Sequence, residues 1–70
     1  MERHPVNSGA ITAISYDEKH QVLVAEFRDG SAYTYHNVPS AVLRACLQSP
    51  SIGSYFNGYI KGRYHATKRA

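Results

Sequence analysis

The sequence predicts an α+β domain in which a three-stranded antiparallel β-meander is followed by two helices packed on one face, in the order βββαα. Before position 37, β-branched and aromatic residues occur in short runs separated by turn residues, which is typical of strands. After Pro39, apolar residues recur at helical spacing instead. With 70 residues, the chain makes one small domain that buries only about 60% of its unfolded surface.

Three segments are predicted as strands, namely Ala10 to Tyr16, Gln21 to Arg28 and Ser31 to His36. The first is followed by an Asp-Glu-Lys-His turn, and Asp29-Gly30 between the other two is a hairpin signal. Residues 1–9 contain no comparable pattern and are predicted to be a polar lead-in.

The register of the hairpin follows from which side chains share a face. A two-residue loop would pair Arg28 with Ser31, whereas a three-residue loop with Gly30 in the left-handed region would pair Phe27 with Ser31. The second register segregates the apolar side chains better, and a one-residue slip would exchange the two faces. It places Leu23, Ala25, Phe27, Tyr33 and Tyr35 together, and it leaves Val22 and Val24 on the outer face.

The first helix is predicted to begin at Pro39, because proline tolerates the first helical position, and to end near Ser49-Pro50. Its apolar stripe consists of Val42, Leu43, Cys46 and Leu47.

The second helix is predicted to be capped by Ser51 and to end at Gly62. Its stripe consists of Ile52, Tyr55, Phe56, Tyr59, Ile60 and Arg63. Tyr55 and Tyr59 are therefore expected in the core. Gly58 costs a helix about 1 kcal/mol relative to alanine, and close backbone packing is the expected reason for its presence.

An ordered set of short motifs extends along nearly the whole chain. It comprises Ser8-Gly9-Ala10-Ile11, Leu23-Val24-Ala25-Glu26-Phe27, Tyr33-Thr34-Tyr35 with Val38-Pro39, and Ser51-Ile52-Gly53-Ser54-Tyr55-Phe56-Asn57. The set resembles the KTSC domain, a module that stands alone or lies at the C-terminus of some bacterial lysyl-tRNA synthetases.

The resemblance implies a single KTSC-like domain over residues 1–70, with a core of about residues 6–65 and a basic C-terminal tail. Tyr33 and Tyr35 match the Tyr-x-Tyr hallmark of the family. The family has no established biochemical function. Its attachment to a synthetase implies contact with RNA or tRNA by association.

The charges are distributed unevenly along the chain. All five acidic residues lie within the first 29 positions, whereas the remainder carries the cations Arg44, Lys61, Arg63, Lys68 and Arg69 and five of the six tyrosines. Cations interleaved with flat rings suit a polyanion with stackable groups, such as single-stranded RNA. The candidate nucleic-acid-binding residues are therefore those five cations and Tyr64.

Each candidate has an ordinary structural alternative. Tyr33 and Tyr35 can stack on exposed bases or pack beneath the helices. The C-terminal cations can track phosphates, or they can be a solvated tail near the negative end of a helix. Exposed Val22 and Val24 would instead mark a protein-partner surface or a homodimer.

The sequence offers no pattern for catalysis, a metal or a cofactor. The four histidines lack ligand spacing, Cys46 lies in a helical stripe without a visible base, and no glycine loop follows a strand. A non-catalytic module is therefore expected. One cysteine permits no intrachain disulfide, and no apolar run is long enough for a signal peptide or a membrane span, which favours the cytoplasm.

Overall fold

The computed structural model describes residues 1–69, which form one five-stranded antiparallel sheet and two helices. The elements are β1 (Glu2–Pro5), β2 (Ile11–Asp17), β3 (Val22–Phe27), β4 (Ala32–Tyr35), α1 (Ser40–Gln48), α2 (Ile52–Tyr59) and β5 (Ala66–Lys68). The strands lie in the order β1-β2-β3-β4-β5 across the sheet. The chain thus adds its last strand beside β4 after both helices.

The prediction of three strands is wrong in number, although the three predicted strands are present as β2, β3 and β4. The polar lead-in contains β1, which pairs with β2 from Glu2 opposite Tyr16 to Pro5 opposite Ala13. The C-terminal tail contains β5, which pairs with β4 and is exposed along its length. Both additional strands are edge strands.

The predicted bulged hairpin between β3 and β4 is confirmed. Leu23 lies opposite Tyr35 and Ala25 opposite Tyr33, so these side chains share a face. The amide of Phe27 donates to the Ser31 carbonyl at 2.8 Å, and Gly30 has a φ of +92°. A residue with a Cβ is strained at that angle, which explains the glycine.

Helix α1 begins at Ser40, one residue later than predicted, and α2 begins after its predicted cap Ser51. Pro39 is the N-cap of α1, and the Ser51 hydroxyl accepts a hydrogen bond from the Ser54 amide at 3.4 Å at the start of α2. However, α2 ends at Tyr59, earlier than predicted, and Gly62 adopts its φ of +82° in the turn that follows. The expected close packing of Gly58 is wrong, because a Cβ there would meet no atom within 4 Å.

The core lies between the helices and one face of the sheet. Phe56 of α2 is fully buried and makes edge-to-face contacts with Phe27 and Tyr35, with ring centroids 5.8 and 5.2 Å apart. Buried Leu43, Cys46 and Ile60 extend this layer, and Ile11, Ile14 and Leu23 complete it from the sheet. We call this the helix face and the opposite side the outer face.

Within residues 1–69, the outer face of the sheet is not covered by another layer of secondary structure and instead carries an ion pair. Arg3 of β1 donates to Glu26 of β3 at 2.9 Å, passing over β2 where the side chains of Ala13 and Ser15 are small. Val24 beside them is only 3% exposed. The expectation that Val24 is exposed is therefore wrong, because β3 is the central strand and Val24 lies between Ser15 of β2 and Thr34 of β4. Val22, which was expected to be exposed with it, is half-buried.

Candidate nucleic-acid interface

A groove runs along β4 on the helix face. Its sheet wall consists of Phe27, Tyr33 and Tyr35, and its opposite wall is the turn after α2 at Lys61 and Gly62. The groove has a volume of about 590 Å³, within the range of small-ligand sites of roughly 300–1,000 Å³. We call it the β4 groove.

The two family-motif tyrosines both line the β4 groove, although they pack differently. Tyr35 is 4% exposed and belongs to the core, whereas Tyr33 is half-buried and packs against Phe27 with ring centroids 5.9 Å apart. Burial first, and then the neighbouring Tyr33, raise the pKa of Tyr35. Tyr35 thus takes the packing role that was one of the two alternatives, and Tyr33 is only partly buried.

Strand β5 places Lys68 beside Tyr33, one of the residues that line the β4 groove. Lys68 lies directly opposite Tyr33 in the β4–β5 ladder, so the two side chains project from the helix face. The pKa of Asp29 at the hairpin tip is lowered first by hydrogen bonds from Ser31 and, to a smaller extent, by the charge of Lys68. Lys61 and Lys68 therefore flank the same hairpin.

Two other predicted cations lie elsewhere. Arg69 follows β5 with the opposite orientation, and its charge contributes to the lowered pKa of Glu26, which is caused mainly by the hydrogen bond from Arg3. Arg44 lines a separate depression together with Glu2 and Glu18. Lys61 therefore lines the β4 groove and Lys68 lies beside Tyr33 of that groove, whereas Arg44 and Arg69 lie away from it.

An aromatic and cationic row runs along α2. The rings of Tyr55 and Tyr59 stack with centroids 4.6 Å apart, and the Arg63 guanidinium lies 5.9 Å from the centre of the Tyr59 ring. We call these three residues the α2 ladder. Tyr59 is 56% exposed, so its predicted burial is wrong. The four-residue spacing of Tyr55, Tyr59 and Arg63 indicates such a row, because residues four apart lie along one edge of the apolar stripe.

Tyr64, the aromatic expected to be most exposed, is half-buried and packs against the core. It lies directly after Arg63 in the turn that leads to β5, and its amide donates to the Ile60 carbonyl at 3.3 Å. Tyr64 is therefore only partly accessible, and its expected exposure is reduced by this packing.

Residues 1–69 contain no cluster of three or more potential metal ligands. Burial raises the pKa of the Cys46 thiol to about 11, and the residue has no exposed surface, so it is unsuited to nucleophilic attack. No helix within the described part of the chain is long and apolar enough to cross a membrane.

Comparison with known proteins identifies the class of domain. The family model of the KTSC domain matches residues 7–64, and the chain therefore belongs to the KTSC domain family. The predicted resemblance is confirmed.

The fold is shared with a KTSC domain protein from Yersinia pestis, whose crystal structure matches with a TM-score of 0.94 at 33% identity, covering 99% of this chain and 97% of the other. A protein of Tsukamurella paurometabola is 40% identical over 62 residues, covering 89% of this chain and 92% of its own length. A lysine–tRNA ligase of Nostoc punctiforme is 43% identical over 54 residues, covering 77% of this chain but only 10% of the ligase.

Proposed function

We propose that this protein is a small non-catalytic module that binds single-stranded RNA. The binding surface comprises Lys61, Arg63, Tyr64 and Lys68. The observation that carries this proposal is the position of Lys68 directly opposite Tyr33, on the groove side of the hairpin that Lys61 also borders. Half-buried Tyr33 thus lies opposite one lysine and shares the groove lining with another.

The chemistry of this surface fits a single strand better than a duplex. Unpaired bases expose flat faces that stack on aromatic rings, and phosphates attract unpaired cations. Within residues 1–69, Lys61, Arg63 and Lys68 take part in no salt bridge, whereas Arg3 is engaged by Glu26.

The similarity to part of a lysine–tRNA ligase supports an RNA-related role, and tRNA is therefore one candidate RNA. Cys46 is free and buried, which fits a reducing compartment, and we place the module in the cytoplasm. The alternative role as a protein-partner surface rested on exposed Val22 and Val24, and it loses support because Val24 is buried and Val22 is half-buried.

The experiment is a fluorescence-anisotropy titration of a labelled single-stranded RNA at several salt concentrations. Replacing Lys61, Arg63 and Lys68 with alanine should weaken binding and flatten the plot of log K against log salt by about 0.7 per lost phosphate contact. Tyr64→Ala should weaken binding by roughly 1–3 kcal/mol at every salt concentration, because stacking depends little on salt.

Lys68→Ala and Lys19→Ala form a matched pair for this test. Each removes one lysine charge, but Lys19 lies in the β2–β3 turn, at the opposite end of the sheet from the hairpin. Lys68→Ala should reduce the salt slope, and Lys19→Ala should leave it unchanged. Equal effects of the two changes, or absence of RNA binding at low salt, would contradict the proposal.

A further inference from the structure

The β4 groove is lined by Tyr35, whose hydroxyl is not hydrogen-bonded within residues 1–69. Tyr35 is 4% exposed, yet no hydrogen bond joins its hydroxyl to another group within residues 1–69. Every buried side-chain nitrogen or oxygen atom within residues 1–69 has a hydrogen-bond partner. The Tyr35 hydroxyl must therefore be accessible, and the groove that Tyr35 lines is where it opens.

The other residues that line the groove also suit a flat, anionic molecule with hydrogen-bonding groups at its edge. Phe27 and Tyr33 supply aromatic walls. Both hydrogen bonds from Ser31 to Asp29 end on Oδ1, which leaves Oδ2 able to accept another. A flat ring with N–H and ring-nitrogen groups at its edge matches a site of this composition.

The groove is lined by two cations, Arg28 and Lys61, and within the described residues only the side chain of Arg28 is hydrogen-bonded. The Arg28 guanidinium donates to the backbone carbonyls of Gly9 and Ser8 at 2.9 and 2.8 Å, so it holds the preceding loop in place. Lys61 has no such partner in the described part of the chain and lies on the opposite wall. An anionic group of a ligand would therefore bind at Lys61.

The geometry points to the β4 groove as a site for a single unstacked nucleotide, with its base between the aromatic walls and its phosphate at Lys61. The base edge is hydrogen-bonded by the hydroxyl of Tyr35, and the neighbouring Tyr33 and Asp29 Oδ2 are close enough to the groove to contribute. This inference rests on the proposed function, since it describes how one residue of a bound RNA strand is held.

Adenosine 5′-monophosphate is the probe, and ¹H–¹⁵N NMR titration is the measurement. The nucleotide should shift the amide signals of residues 31–35 and 61–62. Tyr35→Phe removes only the hydroxyl and should weaken nucleotide binding about fivefold, the equivalent of one hydrogen bond of about 1 kcal/mol. Tyr59→Phe is the matched control, because Tyr59 is exposed and lies outside the groove, and it should not change the affinity.

Adenosine and inorganic phosphate separate the two halves of the site. Lys61→Ala should weaken binding of the nucleotide and leave that of adenosine unchanged. If phosphate alone shifts the same signals as strongly as the nucleotide, or if Tyr35→Phe binds as tightly as the wild type, the nucleotide site is disproved. Shifts confined to surfaces outside the groove would also overturn it.

The outcome is distinguishable from that of the proposed function. RNA that binds and responds to Lys68→Ala, together with no nucleotide shift in the groove, overturns the nucleotide site alone. Nucleotide that binds in the groove, together with no binding of single-stranded RNA, overturns the RNA proposal and leaves the nucleotide site standing.

Discussion

Phe56 is the side chain on which the two layers of the domain meet. It is completely buried and contacts aromatic rings from both β3 and β4. Replacement with alanine should lower the free energy of unfolding by about 3–5 kcal/mol, because it removes the buried ring and leaves a cavity. A thermal melt of Phe56→Ala checks this.

Tyr59→Ala on the same helix is the control for that melt. Tyr59 is largely exposed, so its removal should change stability by no more than about 0.5 kcal/mol. If the two variants melted at the same temperature, the assignment of Phe56 to the centre of the core would be wrong.

Cys46 provides a second test of the core at the residue level. The thiol is fully buried and its pKa is raised to about 11, so at pH 8 almost none of it is thiolate. We expect iodoacetamide to modify the native protein far more slowly than the urea-unfolded protein, as followed by mass spectrometry. Rapid modification of the native protein would show that the thiol is not enclosed in the core between the helices and the sheet.

The sequence predicts the interior residues well because they follow a period. The alternation in β3 and β4 and the spacing in α2 place Phe56 and Tyr35 correctly. Tyr59 follows the same spacing and is nevertheless exposed, because it lies at the edge of the stripe where α2 ends. Periodicity identifies a helix face, but it does not reveal where the neighbouring layer stops.

The edge strands were missed for a physical reason. Residues of β5 are all exposed and those of β1 nearly so, so neither strand has a buried face that selects alternating apolar residues. Their hydrogen bonds are made by the backbone, which leaves no trace in the side-chain pattern. The position of Lys68 in the candidate site depends on β5, so this part of the site was also unpredictable.

Substitutions by proline test β5 directly. The amide of His36 donates to the His65 carbonyl and that of Arg69 to the Ala32 carbonyl, so the alternation of an antiparallel ladder makes Thr34 and Thr67 a hydrogen-bonded pair. Thr67→Pro removes a ladder donor and should release β5. Hydrogen exchange of the Thr34 and His36 amides should then become fast.

Ala66→Pro is the matched control, because Ala66 is a non-hydrogen-bonded position whose amide points away from β4. Its exchange pattern should stay close to that of the wild type. Protection of Thr34 and His36 that survives in Thr67→Pro would show that β5 does not pair as described.

Folding rearranges the charges that are separated along the chain. In the sequence, no acidic residue follows Gly30. In the folded sheet, however, the charge of Lys68 contributes to the lowered pKa of Asp29, and the charge of Arg69 contributes to the lowered pKa of Glu26. The basic half is therefore partly balanced by acids of the hairpin and of β3. Charge segregation along the sequence indicates a polyanion partner, but only the fold shows that Lys61 remains free of acidic partners among residues 1–69.

The response of the whole molecule to acid follows from its carboxylates. Hydrogen bonds from His20, Arg3 and Ser31 lower the pKa of Asp17, Glu26 and Asp29, respectively. A group whose pKa is lower in the folded state contributes stability above its unfolded pKa of about 4, and this contribution disappears as the pH falls through the folded pKa. The melting temperature should therefore decrease as the pH is lowered below about 4.

Glu26→Gln tests the ion pair between Arg3 and Glu26, which joins β1 to β3 across the outer face. The variant should melt below the wild type at neutral pH, and the two curves should converge at the acid end, where Glu26 of the wild type is protonated and its ion pair is lost. Glu18→Gln is the control, since the Glu18 side chain makes no hydrogen bond or ion pair within residues 1–69, and its curve should parallel that of the wild type. A constant difference between Glu26→Gln and the wild type at all pH values would mean that the charge of Glu26 does not stabilise the outer face.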